Sequence, residues 1–200
     1  MNKSNIFPVA FTLVLVGCLL LACNSIYTPR PRGYFRISFP AHEYQLFNSP
    51  GYPYTFEYPV YARVVKDTSF FEAKPPNPYW INVDFPQFQA RIYISYYQVG
   101  NNSFDKLRDD AYKMTYKHTY KATSIDDSLI QTQKGVTGIF FNVGGNAATA
   151  NQFFVSDTVR HFLRGALYFD ATPNEDSLGI VNKFLQQDMK HLINTLEWKN

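Results

Sequence analysis

Residues 160–177, RHFLRGALYFDATPNEDS, constrain the fold more than any other stretch. Read as a strand, its two faces are His161, Leu163, Gly165, Leu167, Phe169 and Arg160, Phe162, Arg164, Ala166, Tyr168. Both carry apolar side chains, as expected of a strand covered on at least part of both sides. Arg160 and Arg164 share a face, so they need acidic partners, water or the sheet rim. Ala171-Thr172-Pro173-Asn174 breaks the strand. Asn174, Asp176 and Ser177 then supply capping oxygens, and Glu175 and Asp176 place negative charge at a helix start. The chain therefore ends on a covered strand running into a helix, with Asn146 upstream in a glycine turn and Trp198 closing the helix.

The other elements follow from periodicity. Residues 34–39 read as a short strand ended by Pro40. Residues 54–58 alternate Tyr54, Phe56, Tyr58 against Thr55, Glu57 and form a half-buried strand, stopped by Pro59. A strand over 60–66 and a rigid proline loop at 74–78 come next. Residues 80–85 and 91–97 make a hairpin-like pair around Pro86-Gln87. A helix runs from Phe104 to about Lys121, with Phe104, Leu107, Ala111, Met114 and His118 on one stripe. His118 thus reads as a core-edge histidine with one hydrogen-bond partner. A meander covers about 129–132, 138–143, 151–156 and 160–169. Gly144-Gly145-Asn146 makes its middle turn, both glycines being free to take positive φ, and Asp157-Thr158 the next. The last helix, about 177–198, has Leu178, Val181, Leu185, Met189, Leu192 and Leu196 as its stripe, with Ile193 at the margin. The expected fold is α+β: a mostly antiparallel sheet with two main helices.

The 200 residues suit one domain, and 46% hydrophobic against 18% charged content is enough to bury a core. Eighteen Phe and 15 Tyr against 2 Trp favour strands; a sugar- or partner-binding aromatic surface is the sharper alternative. A net charge of +3 without clustered Lys or Arg argues against nucleic acid. No GxSxG, HExxH, CxxC or Walker loop occurs, and His42, His118, His161 and His191 lack ligand spacing. Glu175 and Asp176 suit a helix start better than paired acid/base work. No catalytic residue, no metal site and no cofactor is expected.

Residues 1–22 read as an export signal. Lys3 is its positive end and 6–21 its apolar run, short for a membrane span and ending at a small residue and a cysteine. Leu20-Leu21-Ala22-Cys23 resembles a bacterial lipobox, which makes Cys23 the lipid attachment site. Leu15-Val16-Gly17-Cys18 competes, but three leucines follow Cys18, whereas polar Asn24 and Ser25 follow Cys23. With Cys23 acylated, the domain has no internal disulfide. Two or three acyl chains anchor stably where one is marginal. Residues 23–33, rich in Pro and Arg, form a stiff tether reaching at most roughly 35–40 Å. Arg30 and Arg32 can touch anionic lipid head groups. The folded domain is then 34–200.

Several pieces carry a resemblance: PRPRGYFRISFP at 29–40, FEYP at 56–59, ARIYISY at 90–96, KHTYKA at 117–122, GGN at 144–146, NQFFVSD at 151–157 and Trp198. With these the chain resembles the gliding-motility lipoprotein GldD family of Bacteroidetes. The resemblance implies a non-enzymatic, lipid-anchored envelope protein required for gliding motility. It would support the linked type IX secretion machinery through contacts with other envelope proteins. Lipoproteins exported to the surface of such cells usually carry acids after the cysteine; residues 24–33 have none, so the domain is expected to face the periplasm, with the outer membrane favoured. The order of elements is similar to a PsbP/Mog1-like sandwich. Asp127-Ser128-Leu129, Asp157-Thr158-Val159 and Asp176-Ser177-Leu178 resemble O-glycosylation triplets of such periplasmic proteins. The alternative function is a periplasmic lipoprotein binding a hydrophobic ligand or glycan; a nonstandard enzyme is a third.

Overall fold

The computed structural model describes residues 36–68, 75–101 and 103–199. In chain order these form β1 (Tyr44–Phe47), β2 (Tyr54–Pro59), β3 (Arg63–Lys66), β4 (Ile81–Phe85), β5 (Ala90–Gln98), α1 (Phe104–Tyr116), β6 (Ala122–Gln131), β7 (Thr137–Gly145), β8 (Asn151–Ser156), β9 (His161–Phe169), α2 (Glu175–Thr195) and β10 (Glu197–Trp198). Seven strands make one antiparallel sheet in the order β3-β4-β5-β9-β8-β7-β6. A second, three-stranded sheet has the order β1-β2-β10. The fold is α+β, with mostly antiparallel sheet and two main helices.

Alternation along the strands builds two cores on one sheet. Ile92, Ile94, Phe153, Val155, Leu163 and Leu167 face α2 and β2, meeting Leu185, Met189, Leu192, Tyr54 and Phe56. On the opposite face Phe141, Phe154 and Phe162 meet Leu107 and Ala111 of α1. Burying each such side chain is worth roughly 1.5–3 kcal/mol. β9 lies between β5 and β8, so Leu163 and Phe162 enter different cores, as its apolar faces require. Gly165 is where the Phe153 ring lies across the strand; a Cβ there would sit 2.3 Å from Cε1 of that ring.

Four expectations are corrected. Residues 36–39 are not a strand, and the first strand is β1. The edge strand β6 begins at Ala122, well before residue 129; its mostly exposed face lacks the apolar alternation that marks a half-buried strand. The buried stripe of α1 is Leu107, Ala111 and Thr115, while Met114 is 41% exposed, because only a narrow ridge touches the sheet. The last helix stops at Thr195, and Trp198 pairs with Tyr54 in β10 instead of closing the helix. Of the two turn glycines only Gly145 has positive φ, at +85°. Its Cβ would also lie 2.8 Å from the backbone nitrogen of Thr123, so space and conformation both demand glycine there.

Candidate functional site

The glycine turn and the start of α2 meet. Asn174 caps the helix by accepting from the Ser177 N–H at 3.2 Å. Asn146 Oδ1 accepts from the Glu175 N–H at 2.9 Å and ties the β7–β8 turn to the same helix end. Beneath this junction lies a cleft of about 400 Å³ between β6–β7 and α2. Its polar lining is rich in carboxamides: Asn142, Asn151, Asn174, Asn182 and Gln186. Asn142 and Asn151 are cross-strand partners, and Gln186 Nε2 donates to both, at 2.7 Å to Asn151. Asn182 Oδ1 is buried and has no hydrogen-bond partner among the described residues. Asp126, Glu175 and Lys183 stand at the rim, and Phe169 and Leu178 add apolar surface. Carboxamides donate and accept but do not titrate, so this cleft is suited to hydrogen bonding and not to proton transfer.

A second polar cluster is internal. Asp188 is 1% exposed on the buried stripe of α2. It accepts from His42 Nδ1 at 2.7 Å, from the Tyr44 hydroxyl at 3.1 Å and from the Tyr61 hydroxyl. Burial, then the Asp188 charge and hydrogen bond, push the Tyr44 phenol up to about 12. The Tyr61 phenol is raised further, by burial first and then by its bond to Asp188. Tyr44 stacks on His191 with ring centroids 3.5 Å apart, and His191 Nε2 donates to Glu57 at 2.7 Å. The cluster pins β1, β2 and the β2–β3 turn onto α2. None of its members lines the carboxamide cleft.

His161 sits on the α2 face of β9, hydrogen-bonded to the Tyr96 hydroxyl at 2.7 Å and stacked on Trp198 at 5.0 Å. Burial lowers its pKa, the Asp157 carboxylate opposes that, and Arg160 adds to it. His118 is half-buried in the short 3-10 turn Lys117–Tyr120 that follows α1; burial and then Arg164 lower its pKa. Arg164 has no carboxylate partner among the described residues. It donates to Gln152 Oε1 at 2.7 Å, and burial lowers its pKa against the raising effect of Tyr168 and Tyr97. Where an acid, water or the sheet rim was expected to receive it, it meets a neutral amide. Ser128 lies on β6, Thr158 in the exposed β8–β9 turn and Ser177 in the first turn of α2. Cys18, Cys23 and the tether lie outside the described residues. Among the described residues no group of three His, Cys, Asp or Glu is placed to hold a metal ion. Sequence reasoning missed Asn142, Asn182 and Gln186. Their signal was weak: two amides one turn apart on α2 and two flanking the glycine turn. Asp188 falls on the apolar stripe of α2 between Leu185 and Leu192, and a carboxylate at such a position signals a buried polar cluster.

Fold and cleft define the class: a two-core α+β domain that presents hydrogen-bonding groups beside a long helix. The chain belongs to the family described as "Gliding motility lipoprotein GldD", whose model matches residues 24–198. No curated protein matches the chain. Among solved structures it is similar to the solution structure of cyanobacterial PsbP from Synechocystis sp. PCC 6803, at 12% identity and a TM-score of 0.42, over 84% of this chain and 98% of that one. Among the described residues no helix is long and apolar enough to cross a membrane.

Proposed function

We propose that this chain is a periplasm-facing lipoprotein without catalytic activity, anchored through acyl chains on Cys23, that docks on other envelope proteins. In this reading residues 1–22 are removed, 23–33 are the tether and 34–200 the docking domain. It serves gliding motility and supports the linked type IX secretion machinery. The family match from residue 24 carries the reading. The geometry supports it in two ways. The buried Asp188 and His161 are committed to internal hydrogen bonds. Large apolar side chains instead lie on the surface, with Leu129 87% exposed and Tyr120 80% exposed. Side chains so exposed are available to a partner.

The test is to replace each cysteine in cells and to follow a clickable fatty acid and colony spreading together. Cys23→Ala is expected to lose label and spreading, because a tether raises local concentration at a membrane assembly by orders of magnitude. Cys18→Ala is expected to keep both. Label retained in Cys23→Ala but lost in Cys18→Ala moves the anchor to Cys18. Normal spreading by an exported, unlipidated domain removes the case for membrane docking. The carboxamide cleft favours a second reading, a glycan-binding lipoprotein, because neutral amides suit sugar hydroxyls. Asn182→Leu abolishing retention on a glycan column would support it.

A further inference from the structure

The two edges of the main sheet are unlike. β3 is four residues long and carries Arg63 and Lys66, the usual protection of a sheet edge. β6 is ten residues long, with no Pro and no Lys, and among the described residues it pairs only with β7. Its irregularity is confined to the span between Ala122 and Ile125; residues 125–131 run in unbroken register against 143–137. Its outer backbone groups therefore form a seven-residue template for another strand.

Both sides of that edge are prepared. Opposite α1, Leu129 stands 87% exposed with Asp127 two residues before it. Facing α2, a cleft of about 280 Å³ opens between Ser128 and Ile130 of the edge and Lys190, Ile193 and Asn194 of the helix, with Phe140 as its floor. Lys190 Nζ lies 5.5 Å from the centroid of the Phe140 ring. An added strand would drop one apolar side chain into this cleft. Asp126 and Asp127 make no ion pair among the described residues; Asp126 accepts the Ser124 hydroxyl at 3.2 Å, and Asp127 accepts the Tyr112 hydroxyl of α1. A second copy of β6 would add two further carboxylates to the same edge instead of balancing the two already there. The complementary occupant is basic.

We propose that β6 is a docking edge: an extended segment of another envelope protein, bearing Lys or Arg, pairs with residues 125–131 as an eighth strand. This rests on the docking reading above and names its surface and the chemistry of its partner. A glycan on Ser128 would block the edge, so the triplet at 127–129 and this edge exclude each other.

The test uses the full-length protein in its own envelope. A benzophenone residue is placed at position 129, intact cells are irradiated, and the adduct is sequenced by mass spectrometry. The expected product is one foreign peptide with at least two Lys or Arg within seven residues, and the adduct falls at least tenfold when Asp126→Lys and Asp127→Lys are combined. An adduct with a second copy, with residues 24–35 of the same chain or with an acidic segment overturns the proposal, as does no adduct or a glycan on Ser128. In parallel, Leu129→Lys is expected to keep the melting temperature and reduce spreading at least tenfold, while Leu129→Thr spreads normally. If Leu129→Lys spreads normally while Cys23→Ala does not, the edge assignment fails and anchored docking stands. If both spread normally, both fail.

Discussion

Arg164 shows how a single charge is housed without a counter-charge. Its stem lies within a central strand, its head meets Gln152, and Tyr97 and Tyr168 flank it. Removing the stem loses packing, so Arg164→Ala is expected to cost about 1–3 kcal/mol in urea unfolding, far more than Arg30→Ala in the proposed tether. Arg164→Met keeps the volume and sheds the desolvation cost, so it is expected to match or exceed the parent stability. A large loss in Arg164→Met would show that the charge itself holds the site. His161 and His118 predict the acid side of the pH profile. Burial lowers both pKa values from the ordinary 6.5. Near and below that pH the unfolded chain binds more protons than the native one, so stability falls as pH falls through about 6.5 and levels off only below the native values. The urea midpoint should drop from pH 7.5 to 5.5, and by less in His161→Gln. An unchanged drop would assign the effect elsewhere.

Among the elements, α2 bears the most load, since one face closes the larger core and its Asp188 gathers three donors from the β1–β3 region. Asp188→Ala leaves two half-buried phenols and a half-buried imidazole without their acceptor. We expect a loss on the order of 3 kcal/mol, measured by chemical unfolding. Asp188→Asn, which can still accept, should lose less. Much of α2 was legible, because Val181, Leu185, Met189 and Leu192 recur at helical spacing and Asn174 caps as its side chain dictates. β9 was legible for the same reason, its two apolar faces having one structural solution. β6 was not: an edge strand with seven exposed residues carries no burial pattern to read. β10 was missed because two residues cannot show a period, and Trp198 is apolar enough to suit a helix end equally well. The cleft amides were hidden because Asn142 and Gln186 are distant in sequence, and only the turn at Gly145 and the crossing of α2 bring them together.

At the scale of the molecule, two cores share one set of strands. Phe153 faces the α2 side and Phe154 the α1 side of β8. Loosening one core therefore disturbs the other through the same backbone. Phe154→Ala, in the smaller core, should shift the far-UV circular dichroism and tryptophan fluorescence midpoints together, although Trp80 packs in the larger core. Separate midpoints would show that the α1 layer unfolds independently. The small sheet adds an ordering in time. Its central strand β2 pairs on one side with nearby β1 and on the other with β10, Tyr54 opposite Trp198. A chain made from its N-terminus thus carries a half-zipped β2 until almost the whole domain has been synthesised. Closure of the zipper is deferred to residues 197–198, later in the chain than every other described strand.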